Sequence, residues 1–161
     1  MGDGDLSADI VTGRVTIQKV LLEEKRLLWK LLQEYLSLEP FRGQHHFKDE
    51  AGEWKYPYFD LYWEKETRHP FFIYYDNELA GFVMVRELIP GELCSIVELY
   101  IFKQFWRKSI GRETMRQILQ LFPYKKWKIS YLKEKAAQAG AFWKDWVKNN
   151  DLEVELEETE E

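Results

Sequence analysis

Three apolar runs stand one after another between residues 71 and 102, and the residues between them leave few ways to arrange them. The run 71–75 is followed by Asp76-Asn77-Glu78, and the run 79–87 by Pro90-Gly91. The third run, 95–102, is rich in β-branched and aromatic side chains. Asp and Asn tolerate the positive φ angles of tight hairpin turns, and Pro-Gly is a strong turn former. The pattern therefore predicts three consecutive antiparallel strands. Such a meander presents two faces, and the flanking chain must cover them.

Upstream, residues 14–20 alternate apolar and polar side chains, as a half-buried strand does. Residues 23–37 read as a helix, with Leu21, Leu28, Leu32 and Tyr35 on one face at helical spacing. Residues 40–52 hold turn formers and read as loop. Residues 56–66 carry Tyr58, Phe59, Tyr62 and Trp63 at offsets that fit a short helix, which Pro70 is expected to end. Downstream, residues 110–122 form a helix closed by Pro123, 127–132 a strand, 135–148 a helix and 152–156 a last strand. The order β, α, α, β, β, β, α, β, α, β is that of a mixed α/β (α+β) sheet with helices packed on it.

A chain of 161 residues, 45% hydrophobic and 16% aromatic, can bury a core without disulfides or metals. The domain is expected over 14–156, preceded by a polar leader at 1–13 and followed by an acidic tail at 157–161. Seven of the 28 acids lie in the last eleven residues, so the net charge of −5 belongs mainly to that stretch, 151–161. The 21 acids left are outnumbered by 23 basic residues, a balance that suits a polyanionic ligand. Like charges resist packing, so the tail is expected to be solvated. No apolar run is long enough for a membrane span, and the start lacks a secretory pattern. A cytoplasmic location with no membrane partner is expected. Cys94 is the only cysteine and is read as buried. His45-His46 lacks further ligands at metal spacing, so no metal is expected. Lys125-Lys126-Trp127-Lys128 is too short for a nucleic-acid site and reads as an edge strand.

The segment with chemical content runs from Glu98 to Arg112: a strand, a basic loop and a helix start. Unpaired backbone N–H groups at a helix N-terminus attract anions, and the helix dipole reinforces them. Gly111 permits close approach of a ligand to the backbone, while Lys103, Arg107, Lys108 and Arg112 add positive charge. A pyrophosphate fits this description, and so does an ordinary turn with a solvated basic face.

The same segment resembles the acetyl-CoA loop of the GNAT acetyltransferases, whose pattern is Gln/Arg-x-x-Gly-x-Gly/Ala. It falls on Trp106-Arg107-Lys108-Ser109-Ile110-Gly111, with Trp106 where Gln or Arg is usual and Ser109 at the first glycine. Glu98-Leu99-Tyr100-Ile101 resembles the family's fourth strand, Gly81-Phe82-Val83-Met84-Val85 its third, and Ala141-Phe142-Trp143 its last helix. Tyr-Pro-Tyr at 56–58, Tyr-Trp at 62–63 and His-Pro-Phe at 69–71 are similar to a bacterial branch of that family. The resemblance spans about residues 14–150. It implies a mixed, mostly antiparallel sheet of six to seven strands flanked by about four helices. It also implies acetyl-CoA, or another acyl-CoA, and transfer of its acyl group to an amine of a small molecule or peptide.

By that resemblance the fourth strand bulges and splays from the fifth, so that backbone at Leu99, Tyr100 and Ile101 meets the pantetheine arm. Arg107, Lys108, Ser109, Ile110, Gly111 and Arg112 would hold the pyrophosphate, with Trp143 beside the cofactor. Glu98 is the candidate for receiving the proton of the amine, and equally an exposed strand carboxylate. Trp143 and Ala136 stand where the family often has a tyrosine acid and an asparagine, and an indole N–H cannot serve as that acid. Tyr131 is the candidate substitute. Tyr56, Tyr58 and Tyr62 fall where the family's second helix shapes the acceptor pocket, and aromatic rings there could bind an ammonium or be core. A catalytically weakened acyl-CoA-binding module, or an interaction domain using the aromatic segment, is the alternative reading. A homodimer is compatible with the sequence.

Overall fold

The computed structural model of the chain describes residues 13–38, 47–132, 136–150 and 152–159. Six strands form one sheet in sequence order: β1 (Val15–Lys19), β2 (Arg68–Tyr75), β3 (Glu78–Ile89), β4 (Leu93–Ile101), β5 (Lys126–Leu132) and β6 (Glu153–Thr159). The pairs from β1 to β4 are antiparallel, and β4–β5 and β5–β6 are parallel. Among the described residues four α-helices accompany them: α1 (Lys25–Leu36), α2 (Leu61–Glu64), α3 (Ile110–Leu121) and α4 (Ala136–Asn150). The mixed, mostly antiparallel sheet with four helices is the architecture expected.

The meander forms as its turn residues predict. Asp76 and Asn77 take φ of 49° and 69°, a two-residue turn that matches the twist of the strands it joins. Asp76 also accepts the backbone N–H groups of Gly13 and Arg14 at 2.9 and 2.8 Å, tying the chain ahead of β1 to this hairpin.

Alternation along the strands sends side chains to two cores. On one face Phe71, Ile73, Val83, Val85, Ile96, Trp127 and Ile129 pack against Ile110, Met115 and Ile118 of α3 and Trp143 and Trp146 of α4. On the other, Phe72, Phe82 and Met84 pack against Leu28, Leu31, Leu32 and Leu36 of α1, with Phe59 and Tyr62. The sheet is thus sandwiched between helix layers, each burying one apolar face.

Several elements depart from the sequence expectation. The second helix covers only Leu61–Glu64, because Tyr58 takes φ 71° and cannot lie inside a helix. Pro70 lies inside β2 rather than ending a helix. Its carbonyl accepts Val20 N–H at 2.9 Å just past the end of β1, where no ladder N–H is required of it. The lysine-rich segment is not an edge: β5 lies between β4 and β6, with Lys126 opposite Glu153 and Lys128 opposite Glu155. These opposite charges share one side of the pair, while Trp127 faces Val154 in register. The last strand continues to Thr159, into the run expected to be solvated, since ladder hydrogen bonds come from backbone and require no apolar side chains. His45 and His46 lie outside the described residues. Among those described, no group of metal-binding side chains is found and no helix is long and apolar enough to cross a membrane.

Candidate active site

Two irregularities in β4 create the site. The first is a bulge: Met84 pairs with Glu98 but Val85 pairs with Ile96, which leaves Val97 unpaired between them. An extra residue resets the alternation. Ile96 therefore faces the α3/α4 core, whereas Val97 and Tyr100 face the α1 core, and Glu98 reaches side chains of that same layer. The second is a splay. Pairing of β4 with β5 covers only Leu93 to Ile96 opposite Lys126 to Ile129, after which β5 continues along β6.

Past the splay, the backbone of β4 has no strand partner on the β5 side among the described residues. Phe102 N–H bonds Ala80 O at 2.8 Å on the β3 side, so by alternation the N–H and C=O groups of Ile101 and Leu99 point to the opposite, open side. Trp106 Nε1 donates to Ile101 O at 2.8 Å and occupies one of these groups. On the closed side the strands are very near: a β-carbon at Gly81 would stand 2.0 Å from Tyr100 O.

The loop after β4 passes through a short 3-10 turn, Lys103–Phe105, into α3. Ser109 caps that helix with φ 58° and ψ 26° and makes no side-chain capping bond; Arg107 also has positive φ, 67°. The left-handed geometry is the one glycine adopts at little cost, which explains why the family pattern has glycine at this place. Glu113 N–H, bonded to Ser109 O at 3.1 Å, begins the helical ladder, so the amides of Ile110, Gly111 and Arg112 are the orphan donors of the first turn. An open groove of about 560 Å³ runs between this turn and the splayed edge of β4. It is lined by Leu99, Tyr100, Ile101, Arg107, Ser109, Ile110, Gly111 and Arg112, all named from the sequence, and also by Phe105, Trp106 and Phe142.

Two other candidates lie elsewhere. Lys108 places its ammonium 5.6 Å from the ring centre of Tyr75, on the side of α3 that faces β1. Trp143 is 5% exposed and packs edge-on to Trp146 in the core, and its neighbour Phe142 is the residue that reaches the groove.

On the α1 side, Glu98 is partly buried and accepts two phenolic hydrogen bonds, from Tyr35 at 2.9 Å and Tyr56 at 2.7 Å. Burial pushes its carboxyl above the usual carboxylate range, and the two tyrosines hold it back. Burial and the Glu98 charge raise both tyrosines well above their ordinary value, so they remain protonated donors. Tyr62 is 2% exposed, and its hydroxyl finds no well-formed partner among the described residues. Burial pushes it up to about 12, against the pull of Arg68. Tyr58 is exposed, with the Arg68 guanidinium over its ring at 5.6 Å. Tyr131 lies on β5 beyond the last β4–β5 pair, and its side chain is outside the described residues. Tyr35 was missed as a site residue: its helical spacing placed it on the core face of α1, and nothing in that spacing points to a partner 63 residues away.

The sequence profile of the acetyltransferase (GNAT) family matches residues 27–145. No curated protein sequence matches the chain. Solved structures do. An acetyltransferase of the GNAT family from Staphylococcus aureus Mu50 superposes with a TM-score of 0.60 at 9% identity, over 82% of this chain and 81% of that one. A ribosomal-protein-alanine N-acetyltransferase from Brucella melitensis biovar Abortus 2308 gives 0.54 at 14% identity, over 81% and 89%. AAC(6')-Iy, in complex with the bisubstrate analog CoA-S-monomethyl-acetylneamine, gives 0.56 at 9% identity, over 87% and 91%. At these identities the likeness is one of fold.

Proposed function

The chain belongs to the GNAT acetyltransferase family, and from that premise we propose that it is an acetyl-CoA-dependent N-acetyltransferase acting on an amine of a small molecule or peptide. One observation carries the reading: the splayed edge of β4 and the uncapped first turn of α3 open into the same groove. Ribosomal-protein-alanine acetylation and a CoA bisubstrate analog, named for two proteins of like fold, agree with that chemistry.

The family uses acetyl-CoA, which when bound supplies a thioester carbonyl open to attack by an amine. The residues present fit such a ligand. The outward N–H and C=O of Leu99 and the outward N–H of Ile101 match an extended, amide-bearing arm as a further strand would. The amides of Ile110, Gly111 and Arg112, with the Arg107 guanidinium, suit a diphosphate, while the Arg112 guanidinium pairs with Asp145 at 3.0 Å. Ile101 N–H, directed to the open side, is the donor for negative charge developing on the acyl oxygen, and a fixed donor of this kind contributes strongly to rate. Glu98 takes the proton of the ammonium, directly or through water. Helix α4 has no tyrosine, so it offers no phenol to the departing thiolate. A thiol with a pKa of about 8.5 would not require one in order to leave as thiolate, and Tyr131 is the candidate to return a proton.

The buried, non-acidic Trp143 favours a second reading, a module that binds acyl-CoA and turns over slowly. Thermal shift and thiol release separate the two. At 100 times its Kd, acetyl-CoA should add about 2.7 kcal/mol of stability. Gly111→Glu should abolish this shift. A β-carbon there meets Phe142 at an ordinary 3.6 Å, so the variant should fold while placing a carboxylate in the groove. A full shift in that variant would remove the loop from the site. A shift in the parent with no thiol release across a broad amine panel would favour the module.

A further inference from the structure

The bulge at Val97 turns Glu98 toward the α1 layer, and two elements distant in sequence converge on it. Tyr35 comes from α1 and Tyr56 from the segment before α2, 63 and 42 residues away, and each donates its hydroxyl to a different carboxylate oxygen. Their rings are held by neighbours: Tyr35 lies 5.7 Å from Phe82 and 5.1 Å from Tyr100, and Tyr56 lies 6.5 Å from Phe59. We propose that Tyr35 and Tyr56 are positioning residues that clamp both oxygens of Glu98 in one orientation as the proton acceptor for the substrate amine. This rests on the role given to Glu98 above.

The choice of partners supports the clamp. A buried carboxylate is ordinarily paired with a cation or satisfied by hydrogen bonds. Among the described residues no cation forms an ion pair with Glu98. The groups facing it are the phenols of Tyr35 and Tyr56, with Tyr62 of α2 nearby and Arg68 of β2 and Arg86 of β3 acting on Tyr62. A carboxylate offers about four lone-pair sites and the two phenols use two, so capacity remains for an ammonium donor. Neutral phenols fix the group without cancelling its charge, whereas an arginine would hold it too acidic to accept a proton. In the step itself an N–H bond of the ammonium breaks and an O–H bond forms on Glu98, which later releases that proton to solvent.

The test uses the full chain labelled with ¹³C at glutamate carboxyls, with Glu98→Gln assigning the Glu98 signal. Tyr35→Phe and Tyr56→Phe keep the rings and remove the donors. Each should move the Glu98 titration midpoint upward, and the double variant should move it furthest. With a primary aliphatic amine as acceptor, the double variant should lose roughly tenfold or more in kcat/KM on the acidic side, the worth of a charge-assisted hydrogen bond. The deficit should narrow toward high pH, where Glu98 is ionised in both chains, and what remains there is the lost orientation; a merely structural loss would be uniform across pH. Unmoved midpoints overturn the clamp, whatever Glu98 does. Moved midpoints with parental turnover in Glu98→Gln would instead remove Glu98 from the reaction, and the purpose of the clamp with it.

Discussion

Replacing Gly81 by alanine should damage stability and cofactor binding together. A β-carbon at Gly81 would stand 2.0 Å from the carbonyl oxygen of Tyr100 and 3.1 Å from Ile101 Cα, both of them backbone that no rotamer change can move. Ordinary contact begins at 3.4 Å, so β3 and β4 must part by more than an ångström. That displacement breaks the hydrogen bond from Phe102 N–H to Ala80 O, now 2.8 Å, next to the hairpin register Gly81↔Ile101. Overpacking costs about 1–3 kcal/mol and the lost hydrogen bond about 1 kcal/mol, so roughly 2–4 kcal/mol is expected in all. At about 2–4 °C per kcal/mol for a domain of this size, Tm should fall by roughly 5–15 °C. The shift also pushes Leu99 and Ile101 into the splay, so the stabilisation by acetyl-CoA should shrink with it. Differential scanning fluorimetry over an acetyl-CoA titration reads both effects. A variant melting within about 2 °C of the parent, with the same ligand shift, would refute the steric argument.

Three further predictions follow from the same geometry. Ser109→Gly relieves a left-handed residue worth about 1–2 kcal/mol, offset by about 0.4–1 kcal/mol of unfolded-chain entropy, so the denaturant midpoint should rise slightly. Ser109→Val should lower it, and equal midpoints for the two variants would show that the backbone angle does not matter. Because Glu98 has a raised folded pKa, the native state holds a proton longer than the unfolded chain does, and its stability contribution falls as pH rises above about 4.3 toward the folded value. The Tm of Glu98→Gln relative to the parent should therefore climb through that window and level off above it; a difference independent of pH would contradict the raised value. Cys94, fully buried with its thiol pushed up to about 12, should resist iodoacetamide at pH 8 in the native chain and react once unfolded, as read by intact mass. Rapid native labelling would place that thiol outside the core.

Local chemistry was readable along the chain wherever neighbours in sequence are neighbours in space. The hairpin at Asp76-Asn77, the amphipathic α1 and α3, and the uncapped turn at Ser109–Gly111 all follow from spacing and residue type, and the structure places them as expected. The extent of α2 was not readable, since Tyr58 adopts a conformation that helical periodicity does not register. Nor was the extension of the last strand beyond residue 156 to Thr159, where backbone pairing with residues 130–132 of β5 carries the ladder through the acidic run.

Residue types and their order were enough to decide that this chain forms a helix-covered mixed sheet with a basic strand-to-helix turn after its fourth strand. Only the tertiary structure decided which face Glu98 occupies and who holds it. A single unpaired residue, Val97, reverses the alternation of β4, and a one-residue offset depends on pairing between strands rather than on any pattern within one. The same is true of Trp143 and Phe142: both lie on one helix, and packing against Trp146 sends the first inward and leaves the second at the groove.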